Sequence, residues 1–422
     1  MESKPIRPWR LVARGLAADL ISAFRNVARQ GHRTLAALGA VAVGIVAYML
    51  AAGFIEHSLW LLREDTIRSH LGHLQVAKRG YFEAGAADPR GYLFEPEMGL
   101  EALLWKIPNV EAVAPRIAFS GLVSRGDATL SFLGEGMDPA REGELARSVL
   151  IVEGRPLDPA DPNGVLLGQG LAASLGAKVG DTIVLLANTP SGGVSGVEAR
   201  VRGLFLTVSK AYDDHALRAP LRLVQQLLHT QGIHKWVVLV KETSTVPETL
   251  VELRTGLSAT PSFEGVPWWE FADFYHKTVT LFTRQVDFVR LVIAVIIVLS
   301  ISNTMLMGVM ERTWEVGTAL ALGASRIQVL RRFVMEGLFI GATAGVVGSV
   351  MGATLAYIIS AVGIPMPPPP GMARGFIAEI AVNWTITWDA IGLAVLSAFF
   401  ASLYPAWKAA SLPIVEALRY SR

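Results

Sequence analysis

Four long apolar runs without a charged residue constrain the fold of this chain more than any other feature. They contain no Asp, Glu, Lys or Arg, and they are Thr34–Ile55, Leu291–Met310, Gly337–Ile364 and Ala390–Trp407. Each is long enough, as a helix, to cross the roughly 30 Å hydrocarbon core of a bilayer. Buried helices of a large soluble protein are the alternative, but such helices rarely reach this length without a charge. The runs therefore predict four transmembrane helices.

Lysine and arginine are distributed unevenly around these runs. Basic residues concentrate before the first run, between the second and third, and after the fourth, whereas the loop between the third and fourth holds only Arg374. Cytoplasmic segments of membrane proteins carry the excess of Lys and Arg. Both termini are therefore expected in the cytoplasm, with Glu56–Gln285 outside as one domain large enough for its own core.

The predicted fold class is a membrane α-helical protein with four transmembrane helices and a large α+β extracytoplasmic domain inserted between spans one and two. The predicted segments are a cytoplasmic amphipathic helix (1–33), span one (34–55), the external domain with stalk ends (56–285), span two (286–310), a cytoplasmic coupling region (311–335), span three (336–364), a short external loop (365–387), span four (388–408) and a cytoplasmic tail (409–422).

Within the first segment, Trp9–Ala28 places apolar residues at helical spacing opposite arginines, which is typical of a helix lying on the inner membrane surface. In the external domain, strand character is predicted for Ser69–Arg79, Thr129–Phe132, Ile183–Leu186 and Lys235–Lys241, and helices for Met98–Lys106 and Leu221–His229. Phe271–Asp287 is polar but continuous with span two, and is interpreted as a stalk helix extending outward from it.

Several chemistries are absent from the sequence. There is no cysteine, so there is neither a disulfide nor a thiol site, and the net charge of +2 gives no sign of a nucleic-acid partner. No G-x-x-x-x-G-K-[ST] loop is present to cradle nucleotide phosphates. His70 and His73 lack a third ligand nearby, and Asp213-Asp214-His215 is interpreted as a solvated turn. No catalytic, metal-binding or substrate-binding residue is assigned.

The most informative segment lies between spans two and three. It leaves the membrane at Glu311, continues as a short mixed-charge helix, turns at Gly323 and re-enters near Glu336. A short cytoplasmic helix between two spans is the shape with which a transporter docks on a motor. A passive hairpin loop is the alternative, and it would tolerate any polar sequence.

This segment resembles the coupling-helix region of the MacB/FtsX-type permease superfamily. The matching residues are Glu311-Arg312, Glu315-Val316-Gly317, Ala321-Leu322-Gly323-Ala324-Ser325 and Glu336. The tail from Pro405 to Arg419 is similar to the family's closing motif, and Leu167–Ile183 is similar to its periplasmic domain. Gly72-His73-Leu74-Gln75-Val76 and the proline-rich loop Gly363–Gly371 resemble the lipoprotein-releasing (Lol-type) branch.

The resemblance implies a non-catalytic permease of the bacterial inner membrane, with ATP and magnesium on a separate dimeric ABC ATPase. The expected coupling residues are Glu311, Arg312, Glu315, Gly317, Gly323, Ala324 and Ser325. Other implied partners are a second permease copy or homologue, membrane lipid, and a periplasmic carrier or adaptor. The expected activity is extraction or export of a lipoprotein or lipid-like substrate; signalling to a cell-wall hydrolase and drug or peptide efflux remain alternatives.

Small residues recur at four-residue intervals on spans three and one, which lets helices approach closely in lipid. They are Gly337, Gly341, Gly345, Gly348 and Gly352 on span three, and Ala36, Ala40 and Gly44 on span one. The spacing predicts helix packing, either within one chain or between two copies.

Overall fold

The computed structural model describes residues 31–85, 87–96, 98–189, 192–368, 372 and 375–419. The predicted helix over Trp9–Ala28 lies outside these residues. The described chain forms two compact units. We call them the helical unit (31–58, Thr280–Ile364 and 377–419) and the sheet unit (Leu59–Val279 and Pro365–Phe376).

The described helices are, in chain order, α1 (Gly31–Thr66), α2 (Tyr81–Ala84), α3 (Met98–Lys106), α4 (Gln169–Leu175), α5 (Lys210–Asp213), α6 (Leu221–Leu228), α7 (Val246–Leu257), α8 (Asp273–Glu311), α9 (Thr313–Ala321), α10 (Arg326–Val362), α11 (Trp384–Ala410) and α12 (Ile414–Arg419). A π-helical turn, Ile67–Leu71, prolongs α1.

The described strands are β1 (Leu74–Lys78), β2 (Val110–Arg125), β3 (Ala128–Met137), β4 (Leu150–Gly154), β5 (Gly164–Gly168), β6 (Thr182–Asn188), β7 (Val194–Leu206), β8 (Ala216–Pro220), β9 (Lys235–Val240), β10 (Phe263–Pro267), β11 (Ile364–Met366) and β12 (Phe376–Ala378).

Four helices of the described chain, α1, α8, α10 and α11, are long and apolar enough to cross a membrane. They extend beyond the apolar runs. Helix α1 continues through polar residues to Thr66, and α8 begins at Asp273, so the segment interpreted as a stalk is helical. Helix α10 begins at Arg326, well before the predicted start of span three at residue 336, because nothing between Arg326 and Glu336 breaks a helix.

Helix packing in the helical unit depends on the glycines of α10. A Cβ added at Gly337 would lie 2.6 Å from Ser402 Cβ, and one at Gly341 would collide with Ala398, both on α11. Gly345 contacts Ala394 in the same way.

Two further glycines of α10 face α1 instead. A Cβ at Gly348 would lie 2.8 Å from Ile45 Cβ, and one at Gly352 would lie 3.0 Å from Met49 Sδ. The predicted glycine face therefore packs within one chain.

The small residues predicted on span one do not all pack within the chain, and packing between two copies stays a prediction. Ala36 and Ala40 are exposed, and only Gly44 contacts a neighbour, with its ideal Cβ 3.3 Å from Ile293. The buried face of α1 carries Ala37, Val41, Ile45, Tyr48 and Met49. The larger side chains of this face fill the space between the helices, whereas Ala36 and Ala40 lie on the opposite side.

The sheet unit is built on one mixed ten-stranded sheet. Its strand order is β10-β1-β9-β2-β3-β8-β5-β7-β4, and β6 pairs with β2 and β7. The β3–β8 and β5–β7 pairs are parallel, and the other described pairs are antiparallel. Alternation of exposed and buried side chains is clear in β6. Thr182 and Val184 are exposed and Leu186 is half-buried, whereas Ile183 and Leu185 are buried.

The predicted helices Met98–Lys106 and Leu221–His229 match α3 and α6 closely. The predicted strand Ser69–Arg79 is wrong over its first residues, because the chain is π-helical as far as Leu71 and the strand begins at Leu74. Gly72 makes the change of direction with φ of 65°, and a Cβ there would collide with Val237. Alternating apolar residues alone do not reveal such a turn.

Candidate functional site

The loop between α8 and α10 is a short helix set between two breaks. Helix α8 ends at Glu311, and the Thr313 hydroxyl donates to the carbonyls of Val309 (3.0 Å) and Met310 (2.9 Å) at this junction. The second break is at Gly323, whose φ of 97° favours glycine. Ser325 then starts α10 with a reciprocal capping box to Gln328.

A buried ion pair ties the first break to the next span. Arg312 Nη1 lies 3.3 Å from both carboxylate oxygens of Glu336, and both side chains are almost fully buried. Beside the pair is a cavity of about 50 Å³, lined by Arg312, Glu315, Val316, Ala319, Val329, Arg332, Phe333 and Glu336. The pair therefore fixes the start of α9 against α10.

The other side of α9 packs against the C-terminal helix. Val316, Gly317 and Leu320 are buried, and a Cβ added at Gly317 would lie only 2.6 Å from Ala417 Cβ on α12. Ala417 is fully buried. The two sequence motifs, one in the loop and one in the tail, therefore meet, and each needs a small residue at the point of contact.

The outward surface of the loop is both acidic and apolar. Glu311 and Glu315 are exposed, as are the large apolar side chains of Trp314, Leu322 and Ile327. Leu322 is 84% exposed and sits directly before the Gly323 turn. An exposed apolar group next to charged residues is typical of a surface that binds another protein.

Two family models match the chain and together cover most of it. The MacB-like periplasmic core domain matches residues 34–255, which is more than half of the 422 residues. The FtsX-like permease C-terminal domain matches residues 288–414. The chain belongs to the MacB/FtsX superfamily of ABC transporter permeases.

Individual relatives agree with this assignment. An uncharacterized ABC transporter permease of Methanocaldococcus jannaschii is 28% identical over 64% of this chain and 65% of its own length. The macrolide export ATP-binding/permease protein MacB of Brucella abortus is 26% identical over 79% of this chain and 51% of its own length. The lipoprotein-releasing system transmembrane protein LolC of Xylella fastidiosa is 25% identical over 76% of this chain and 80% of its own length. The chain spans between about half and two thirds of the first two of these relatives.

In this permease, the predicted coupling residues fall into three groups. Glu311, Glu315 and Ser325 are exposed at the loop surface, whereas Arg312 and Gly317 face inward and hold α9 in place. Gly323 forms the exit turn, and Ala324 follows it half-buried. Whether these residues touch an ATPase stays a prediction. Leu322 belongs to the motif but was not expected as a coupling residue, and Trp314 and Ile327 are not among the matching residues, although apolar residues in a loop that leaves the membrane were a usable signal.

The permease's Gly72–Val76 motif closes the end of the long first helix. His73 is fully buried; its Nδ1 accepts from the Val240 N–H (3.1 Å), and its Nε2 lies 3.0 Å from the Thr243 hydroxyl, which donates to Glu64 (2.7 Å). Burial, with a smaller contribution from nearby arginines, lowers the pKa of His73 to about 3. Among the described residues, no group of three His, Asp or Glu side chains is placed to bind a metal.

The prediction of a solvated turn at Asp213-Asp214-His215 is wrong for Asp213. It is buried, and its carboxylate accepts hydrogen bonds from the Thr207 backbone N–H (2.9 Å) and hydroxyl (2.8 Å). Burial raises its pKa above the ordinary value, against the effect of these hydrogen bonds. Asp214 beside it pairs with Lys210 at the surface (2.8 Å). The pair of acids has a structural role in the loop after β7.

Proposed function

We propose that this chain is the permease subunit of a transporter whose ATPase is a separate dimeric protein carrying ATP and magnesium. The subunit lies in a bacterial inner membrane with both termini inside, and it works with a second permease. ATP-driven movement of the partner acts on α9 and is passed by the long helices to the MacB-like core domain. That domain extracts or exports a hydrophobic substrate from the outer face of the membrane.

The observation that carries this proposal is the construction of the α8–α10 loop. Its inner side is fixed by the Arg312–Glu336 ion pair and by the Gly317–Ala417 contact. Its outer side presents Glu315 and Leu322 to solvent. A passive connection between two spans needs neither a fixed inner side nor an exposed apolar residue, whereas a helix that receives force from a partner protein needs both.

Two substrates have specific support. Similarity to LolC over four fifths of that protein favours a lipoprotein or lipid-like substrate, with a periplasmic carrier as a further partner. Similarity to the macrolide export protein MacB favours export of a macrolide or another drug instead. Mass spectrometry of the complex extracted in mild detergent distinguishes them, since a co-purified acylated protein supports release and a bound small molecule supports efflux.

Reversal of charge at Glu315 tests the coupling role. Glu315→Lys replaces attraction to a basic site on the ATPase by repulsion, which costs several kcal/mol at a close contact. We expect loss of co-purified ATPase subunit, with unchanged membrane insertion. Glu252→Lys, an equally exposed reversal on α7 of the other unit, is the matched control. Wild-type recovery of the ATPase with Glu315→Lys would contradict the proposal.

A further inference from the structure

The outer end of α1 and its π-helical turn terminates inside the sheet unit. The last carbonyls of a helix have no partner within it and carry partial negative charge. Four donors from outside the helix reach them: the Ser148 N–H binds Arg68 O, Arg218 Nη2 binds Ser69 O, Arg116 Nη1 binds His70 O, and Gln75 Nε2 binds Leu71 O. Four separate segments of the sheet unit thus donate hydrogen bonds to the end of this helix.

Two of these donors are buried arginines, on the central strands β2 and β8. Arg116 and Arg218 are at most 1% exposed. Taking a guanidinium out of water is costly unless it is paired in good geometry. A cation is, however, well suited to the negative end of a helix, where its hydrogen bonds are charge-assisted.

A network of ion pairs holds Arg116 in position. Its Nε and Nη2 bind both oxygens of Glu142 (2.9 and 2.7 Å), and Nη1 lies 3.3 Å from Glu135, which also pairs with Lys235 (3.2 Å). Burial alone would raise the pKa of Glu135, but Lys235 and the two arginines lower it to about 2. Arg218 is held differently, stacked over the Phe205 ring at 4.8 Å.

We propose that Arg116 and Arg218 are positioning residues that hold the end of α1 in the sheet. The socket that these two residues form around the helix end is where movement of the first span is passed to the core domain. The coupling part rests on the proposed function. Because both arginines extend from sheet strands, a displacement of the helix end must move β2 and β8 with it or break charge-assisted hydrogen bonds.

Arg218 is the better test position, because changing Arg116 would leave Glu142 unpaired and could unfold the unit. Arg218→Met keeps the length and burial of the side chain but removes the donor to Ser69, whereas Arg218→Lys keeps a cation that can donate. Arg202→Met is the matched control: it removes an arginine of the same unit that pairs with Asp158 (2.9 Å) and Asp161 (2.8 Å) instead.

The first measurement is hydrogen exchange of residues 59–75 in the purified full-length chain. We expect exchange at least about tenfold faster in Arg218→Met, since a charge-assisted bond is lost, and near wild-type exchange in Arg218→Lys and Arg202→Met. Equal exchange in all four proteins would overturn the socket itself.

The second measurement follows exchange in the sheet unit of the assembled complex, with and without a non-hydrolysable ATP analogue. We expect the nucleotide response of wild type to be lost in Arg218→Met and kept in Arg218→Lys, with ATPase binding unchanged. If the nucleotide response survives in Arg218→Met, Arg218 caps the helix end but has no part in transmitting its movement. No response in wild type would overturn the proposed function and the coupling role, while the first measurement would still decide the socket.

Discussion

At the scale of single residues, the buried His73, which follows the end of α1, is expected to make the sheet unit sensitive to acid. Burial lowers the pKa of His73 to about 3, against an ordinary value of 6.5. The hydrogen bond from the Val240 N–H occupies Nδ1 of His73, so protonation there would break it. The folded protein thus keeps the His73 ring neutral at pH values where the unfolded chain takes up a proton.

The sign of the pH effect follows from this difference. As pH falls below about 6.5, the unfolded state binds more protons, so His73 lowers the free energy of unfolding by about 1.4 kcal/mol per pH unit. We expect the unfolding temperature of the detergent-solubilised chain to fall between pH 7.5 and 5.5. The fall should be smaller in His73→Gln and unchanged in His215→Gln, whose side chain is exposed. Identical profiles in all three proteins would contradict the prediction.

The Arg312–Glu336 ion pair yields a second prediction at this scale. Removing one partner takes this contact from the other, largely buried charge, and breaking a buried pair in this way costs up to about 3–5 kcal/mol, whereas removing both is far less harmful. We expect Arg312→Met and Glu336→Leu each to lower the unfolding temperature, and the double variant to recover most of the loss. Additive losses in the double variant would show that the two side chains do not act as a pair.

At the scale of elements, the glycines of α10 decide how the spans pack. Val at position 341 would force its side chain against Ala398 and the Ala394 carbonyl, and overpacking of this kind typically costs about 1–3 kcal/mol. Gly392 of α11 has nothing within 4 Å of its ideal Cβ, so Gly392→Val is the control on the partner helix.

We therefore expect Gly341→Val to reduce the monodisperse fraction recovered in size-exclusion chromatography, and Gly392→Val to behave as wild type. The result that counts against intrachain packing is normal recovery of Gly341→Val. Loss in Gly392→Val alone would point instead to an interface with another chain on the open side of α11.

At the scale of the whole molecule, two helices of the described part of the chain, α1 and α8, have residues in both the helical unit and the sheet unit. In the sheet unit, the end of α1 and the start of α8 share one apolar cluster, which includes Ile67, Leu71, Trp268 and Ala272. Both stalk ends are therefore anchored in the same part of the core domain.

Orientation in the membrane is the prediction that belongs to this scale. Because the chain has no cysteine, single cysteines introduced at Ser244 in the sheet unit and Ala321 at the end of α9 report sidedness without background. Both positions are exposed. An impermeant maleimide should label Ser244→Cys but not Ala321→Cys in intact cells. Labelling of Ala321→Cys alone would reverse the topology.

The sequence by itself determined the features that depend on neighbouring residues. Long uncharged runs must be helical in lipid because no water is present to satisfy the backbone, so the four membrane helices were predictable. Gly323 and Ser325 likewise act locally, as a turn and a helix cap. The motifs around Glu315 and in the tail identified the superfamily.

Only the tertiary structure decided which side chains meet across long stretches of chain. Arg116 and Arg218 bind carbonyls 46 and 149 residues away, and no local pattern predicts that an arginine in an apolar strand will cap a distant helix. Arg312 was expected at the surface, yet its side chain is only 12% exposed because Glu336 returns beside it on the next helix. Ala36 and Ala40 have the right spacing for packing but face outward, because the spacing of small residues does not say which side a helix turns to its neighbours.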